Sequence, residues 1–86
     1  MNERKFVELC RQTIVKYVNR WTKKDNEKIT EDDVYIVWLV KALRNNKAMV
    51  STALNDGMYY EITYNGEKNE VYVDAYKKME NICISI

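Results

Sequence analysis

Seven consecutive apolar residues, Val34-Tyr35-Ile36-Val37-Trp38-Leu39-Val40, constrain this chain more than any other feature. The run is rich in β-branched and aromatic side chains and reads as a strand. Side chains alternate across a strand, so Val34, Ile36, Trp38, Val40 and Ala42 form one row. Tyr35, Val37, Leu39 and Leu43 form the other, interrupted only by Lys41. Both rows are apolar, so both faces need cover. A rival reading is a helix, because Thr30-Glu31-Asp32-Asp33 resembles a capped, acidic helix start. Such a helix would be apolar all round and built from poor helix formers, which favours the strand. The run is too short to span a bilayer.

Before it lies a helix, roughly Glu3 to Thr22. At about 100° per residue, Phe6, Val7, Cys10, Ile14, Tyr17, Val18 and Trp21 fall on one stripe. Arg4, Lys5, Glu8, Arg11, Gln12, Lys16, Asn19 and Arg20 fall outside it. Asn2 is the expected N-cap, its side-chain oxygen accepting from an orphaned backbone N–H. Lys23 to Lys28 then forms a polar connector, with Asp25-Asn26 as its turn.

Three turn signals follow the apolar run. Asn45-Asn46 tolerates positive φ, Asn55-Asp56-Gly57 suits a three-residue hairpin loop, and Asn65-Gly66 is a strong short hairpin signal. They separate four expected strands, about 34–43, 47–54, 58–64 and 70–76. Parity puts Met58, Tyr60 and Ile62 on one face with Val71, Val73 and Ala75, joined by Ala48, Val50 and Leu54. The opposite face collects Tyr59, Glu61, Thr63, Glu70, Tyr72 and Asp74. A two-residue loop at Asn65-Gly66 would set Glu61 against Glu70, a repulsive pair. A four-residue loop through Lys68 keeps the same faces and separates those two.

The expected fold class is therefore α+β: an N-terminal amphipathic helix packed on a four-stranded antiparallel β-meander, in one domain over residues 1–86. The helix covers about 3–22, the sheet about 34–76 and a tail 77–86. That tail, ending Ile82-Cys83-Ile84-Ser85-Ile86, is open to two readings, a short helix or a fifth strand. One helix of about 20 residues cannot cover two apolar faces. The second face is thus the candidate interaction face, with Tyr35, Val37, Leu39, Tyr59, Tyr72 and Tyr76 as its residues.

Charge and chemistry narrow the function classes. The +1 net charge divides unevenly. Residues 1–24 hold seven bases against two acids, or +5, and residues 25–86 seven against eleven, or −4. Arg11, Lys16 and Arg20 form a candidate basic patch for phosphates or an acidic partner, though such a run is more often the solvated side of a helix. With no histidine, the usual general base and zinc ligand are missing, and neither Ser51, Ser85 nor Cys10 has a partner to activate it. Both glycines, Gly57 and Gly66, are better explained as turns than as a phosphate loop. Carboxylates cluster in Glu31-Asp32-Asp33, and Glu61, Glu70 and Asp74 share a face, so Mg²⁺ or Ca²⁺ is conceivable. The triplet lacks the spacing of a calcium loop, and a solvated loop explains it. Cys10 and Cys83 read as two reduced thiols; a disulfide joining the ends is the minority reading.

Three functions remain. Protein–protein contact, as a homodimer or on a host protein, comes first, because tyrosine offers a large contact area at low entropic cost. A nucleic-acid module is second, with Tyr59, Tyr72 and Tyr76 stacking bases and Lys41, Lys77 and Lys78 on phosphates. A metal-dependent enzyme using the carboxylates comes third. No enzyme activity, cofactor, small-molecule substrate or membrane partner is expected, and the Met1–Lys5 start shows no secretory h-region.

Ile29-Thr30-Glu31-Asp32-Asp33-Val34-Tyr35, Asn45-Asn46-Lys47-Ala48, Asp56-Gly57-Met58-Tyr59-Tyr60-Glu61 and Tyr64-Asn65-Gly66 together resemble a family of small uncharacterised proteins. That family is encoded by phages and prophages of low-GC Gram-positive bacteria. Ser51-Thr52, Asp74-Ala75-Tyr76-Lys77-Lys78 and Glu80-Asn81 continue the likeness, while Met79 stands where family members carry tryptophan. The resemblance implies a phage product in the host cytoplasm. It brings no activity, and so no catalytic residue.

Overall fold

The computed structural model describes residues 1–86. Helix α1 spans Glu3–Asn19, with Asn2 Oδ1 accepting from the Lys5 backbone N–H at 2.9 Å. Phe6, Cys10, Ile14 and Val18 recur every four residues, so they share one face and are buried. The helix stops three residues short of Thr22. Asn19 is drawn instead to the incoming chain: its Nδ2 donates to the Ile29 carbonyl and its Oδ1 accepts from the Ile29 N–H, both at 2.9 Å. Trp21 therefore lies past the helix end, 72% exposed, outside the stripe on which its spacing had put it.

The connector contains one turn of 3₁₀ helix, Asp25–Glu27, and delivers Ile29 into the core. The rival helix start survives only as a second such turn, Glu31–Asp33. Asp33 accepts from the Thr30 N–H at 2.8 Å, and a strand follows at once.

The sheet consists of β1 (Val34–Ala42), β2 (Asn45–Thr52), β3 (Met58–Asn65) and β4 (Glu70–Lys77), antiparallel throughout in the order β1-β2-β3-β4. The α+β meander read from the sequence is the observed architecture. Ala48 stands opposite Ile62, Ile62 opposite Val73 and Tyr60 opposite Ala75, as parity required. These residues face α1, and Tyr17 meets Tyr60 edge-on with ring centroids 5.7 Å apart.

Three local readings need correction. The first chain reversal is at Leu43-Arg44, not Asn45-Asn46; those asparagines pair within the sheet and Leu43 takes the positive φ, 57°. The second hairpin has a five-residue connection, Ala53 to Gly57, with Gly57 at φ 71°, so Leu54 sits in the loop rather than on the apolar face. At the third, the longer loop does pair Asn65 with Glu70, but this sets Glu61 against Asp74. The like-charge contact has moved by one partner and not disappeared.

Residues 78–86 form neither helix nor strand. After one hydrogen bond from the Lys78 N–H to the Gly57 carbonyl at 2.8 Å, every side chain in the tail is exposed. The core is Phe6, Cys10, Ile14, Val18, Ile29, Val34, Ala48, Val50, Tyr60 and Ile62, lying between α1 and β1 to β3. No helix is long and apolar enough to cross a membrane.

Candidate interaction surface

The face of the sheet turned away from α1 is decided by one irregularity in β1. Ile36 pairs with Val50 and Trp38 with Met49, so Val37 is an extra residue forming a β-bulge. Beyond a bulge the alternation of side chains reverses. Val34 and Ile36 face the helix as expected, but Leu39 follows them there, opposite buried Ala48 and packed against the core. Leu39 is thereby removed from the candidate interaction face. Trp38 and Val40, assigned to the helix side by simple parity, take its place.

The resulting outer surface runs in cross-strand rows. Tyr35, Ser51, Tyr59 and Tyr76 form one; Trp38, Met49, Glu61 and Asp74 the next; Val40, Lys47, Thr63 and Tyr72 a third. Each of Tyr35, Val37, Trp38, Val40, Tyr72 and Tyr76 keeps between 41% and 50% of its surface exposed. Tyr59 is half-buried between Ser51 and Tyr76, and the Ser51 hydroxyl donates to the Met58 carbonyl at 2.7 Å. Five of the six proposed face residues, all but Leu39, thus come together on one surface. Nothing in the residue pattern marked Trp38 and Val40 for it except that both rows of the run were apolar.

Several polar groups on this face are tied to one another. Lys47 Nζ lies 3.3 Å from Glu61 Oε2, and the Tyr76 hydroxyl donates to Glu61 Oε1 at 3.3 Å. The Tyr72 hydroxyl donates to Glu70. The nearby Glu61 charge holds the Tyr76 phenol above its ordinary range, and the hydrogen bond to Glu70 does the same for Tyr72. Both tyrosines therefore remain neutral donors, and the face offers aromatic area around a small network of Lys47, Glu61, Tyr76, Tyr72 and Glu70.

The basic trio does not converge. Lys16 and Arg20 line an open groove between α1 and β4, with Tyr17, Val71 and Val73. Arg11 lies about 140° and about 180° around the helix from them. Its Nε is buried without a partner. Nor do Lys41 and Lys77 stand among the outer tyrosines, Lys77 lying opposite Met58 on the helix side. Lys41 stands opposite Asn46 on the helix side of the sheet and reaches the Met1 carbonyl at 3.4 Å. No three acidic, cysteine or histidine side chains converge as ligands would. In the acidic triplet, Asp33 is occupied with Thr30. Both cysteines are free thiols, Cys10 buried and Cys83 exposed.

A small helix-on-meander protein with an uncovered aromatic sheet face is the class these features define. The chain belongs to the family of unknown function DUF6275, whose model matches residues 7–86. No curated protein and no solved structure matches it.

Proposed function

We propose that this chain works by protein–protein contact, docking its outer sheet face against a second copy of itself. The same face could serve a host protein, but surface area is what supports the first partner. A compact monomer of this 10.3 kDa mass exposes about 5,400 Å². The chain exposes 6667 Å², an excess of about 1,300 Å² to which both the outer face and the exposed residues 78–86 contribute. A standard stable interface takes about 800 Å² from each partner, and six large side chains of the outer face, each 41–50% exposed, offer apolar area toward one. The sequence resemblance adds the setting, a phage or prophage product acting in the cytoplasm of its host.

Charge speaks against nucleic acid on this face. Glu61, Glu70 and Asp74 share it with a single lysine, Lys47, which is already paired with Glu61. Phosphates would be repelled where the tyrosines could stack.

Amide spectra recorded on dilution test the proposal. Shifts concentrated at Tyr35, Trp38, Tyr59, Tyr72 and Tyr76 are expected. Shifts confined to α1, or none at all, would refute it.

A further inference from the structure

We infer that the C-terminal segment Ile82–Ile86 of one copy adds as a fifth strand to the free edge of β1 in a second copy, reciprocally. The inference rests on the reading of the outer face as a self-association surface and names the segment that completes it. Ile82, Ile84 and Ile86 alternate with Cys83 and Ser85, the period of a strand with one apolar side. In the single chain this segment has no strand partner, and its three isoleucines are each at least 63% exposed. It is a strand in pattern that lacks a sheet.

The meander order leaves two edges, β1 and β4. Like charge and unlike charge guard β4, through Glu70, Asp74 and Lys77, whereas β1 carries only Lys41. Beyond the Val37 bulge, β1 keeps an unbroken register over Trp38 to Ala42, long enough to receive the alternating stretch Ile82–Ile86. An isoleucine row laid on the outer side would meet half-exposed Trp38 and Val40. Cys83 and Ser85 would then lie beside Leu39 and Lys41. A chain's own β1 is a poor target, because the tail leaves β4, three strand spacings or about 14 Å away. Crossing that distance consumes residues 78–81 and demands a corner at Ile82. A second copy brings the two strands together without one.

The test compares the full chain with a variant ending at Glu80 and with Ile84→Asp, by sedimentation equilibrium and amide hydrogen exchange. The full chain is expected to dimerise with its outward β1 amides protected. Both variants are expected to keep the circular dichroism of the fold, weaken dimerisation at least about a hundredfold and lose that protection. A variant that stays dimeric overturns strand addition while leaving face docking intact. A full chain that is monomeric, whether or not its β1 amides are protected, overturns both. Loss of dimer with unchanged β1 exchange places the tail elsewhere and also overturns the inference.

Discussion

Glu61 stands directly opposite Asp74 across β3 and β4, two carboxylates on neighbouring strands of the outer face. Lys47 from β2, 3.3 Å from Glu61, supplies the compensating charge. Opposed like charges in a sheet cost about 0.2–1 kcal/mol. Asp74→Thr should therefore raise stability by about 0.5 kcal/mol, and Lys47→Met should lower it by a similar amount. Urea titration of the two variants checks the opposite signs; a stabilising Lys47→Met would contradict this account of the face.

Asn19 closes the connector by making both backbone hydrogen bonds of Ile29. Asn19→Ala leaves a partly buried N–H and C=O unpaired, with an expected loss of about 2 kcal/mol. Asn19→Asp keeps the acceptor for the Ile29 N–H but sets a carboxylate against the Ile29 carbonyl. It should be no better than alanine. Thermal denaturation of the pair reads this directly.

The reversal at Leu43-Arg44 carries local strain. Leu43 has φ 57° and is 96% exposed, so its side chain returns little packing for that conformation. Leu43→Gly should stabilise the hairpin by about 1 kcal/mol. Gly66 packs beneath the same turn, where an added Cβ would lie 2.7 Å from the Arg44 carbonyl oxygen. Gly66→Ala should destabilise, and chemical denaturation of the two variants should give shifts of opposite sign.

Alkaline pH should weaken the fold in a defined order. Burial pushes the Cys10 thiol from 9.0 up to about 12. Burial also raises Tyr60, while Glu61 and Glu70 raise Tyr76 and Tyr72 above 10.0. A folded-state pKa above the unfolded value means the folded chain holds its proton longer. The stabilisation is complete below the unfolded pKa and disappears as pH climbs through the folded one. Denaturation midpoints should thus be steady at neutral pH, decline from about 9 and steepen beyond about 10. Cys10→Val should remove the earliest part of the decline. In thiol titration near neutral pH, Cys83 alone should react in the folded chain and both cysteines in urea.

The helix, the meander and most of the inner face of β2 to β4 are legible because each follows from one period, even where the exact turn residues are not. Phe6, Cys10, Ile14 and Val18 needed only helical spacing, and Ile62 and Val73 only alternation. The outer face was harder to read. A single unpaired residue, Val37, exchanges the sides of Leu39 and Trp38, and a run apolar on both rows offers no polar residue to reveal the slip. The Leu43 turn was hidden because its positive φ falls on a residue that ordinarily avoids it, beside two asparagines that invite it. Ile29 is not legible in the sequence because it is a lone apolar residue in a polar connector, held by a side-chain contact to Asn19 that no local pattern encodes.

Sedimentation equilibrium of the unmodified chain, from about 1 µM to about 100 µM, weighs most directly on whether the outer face is a self-association surface. The account predicts a mass approaching twice the 10.3 kDa of one chain as concentration rises. A mass fixed at that of a single chain over the whole range would contradict it.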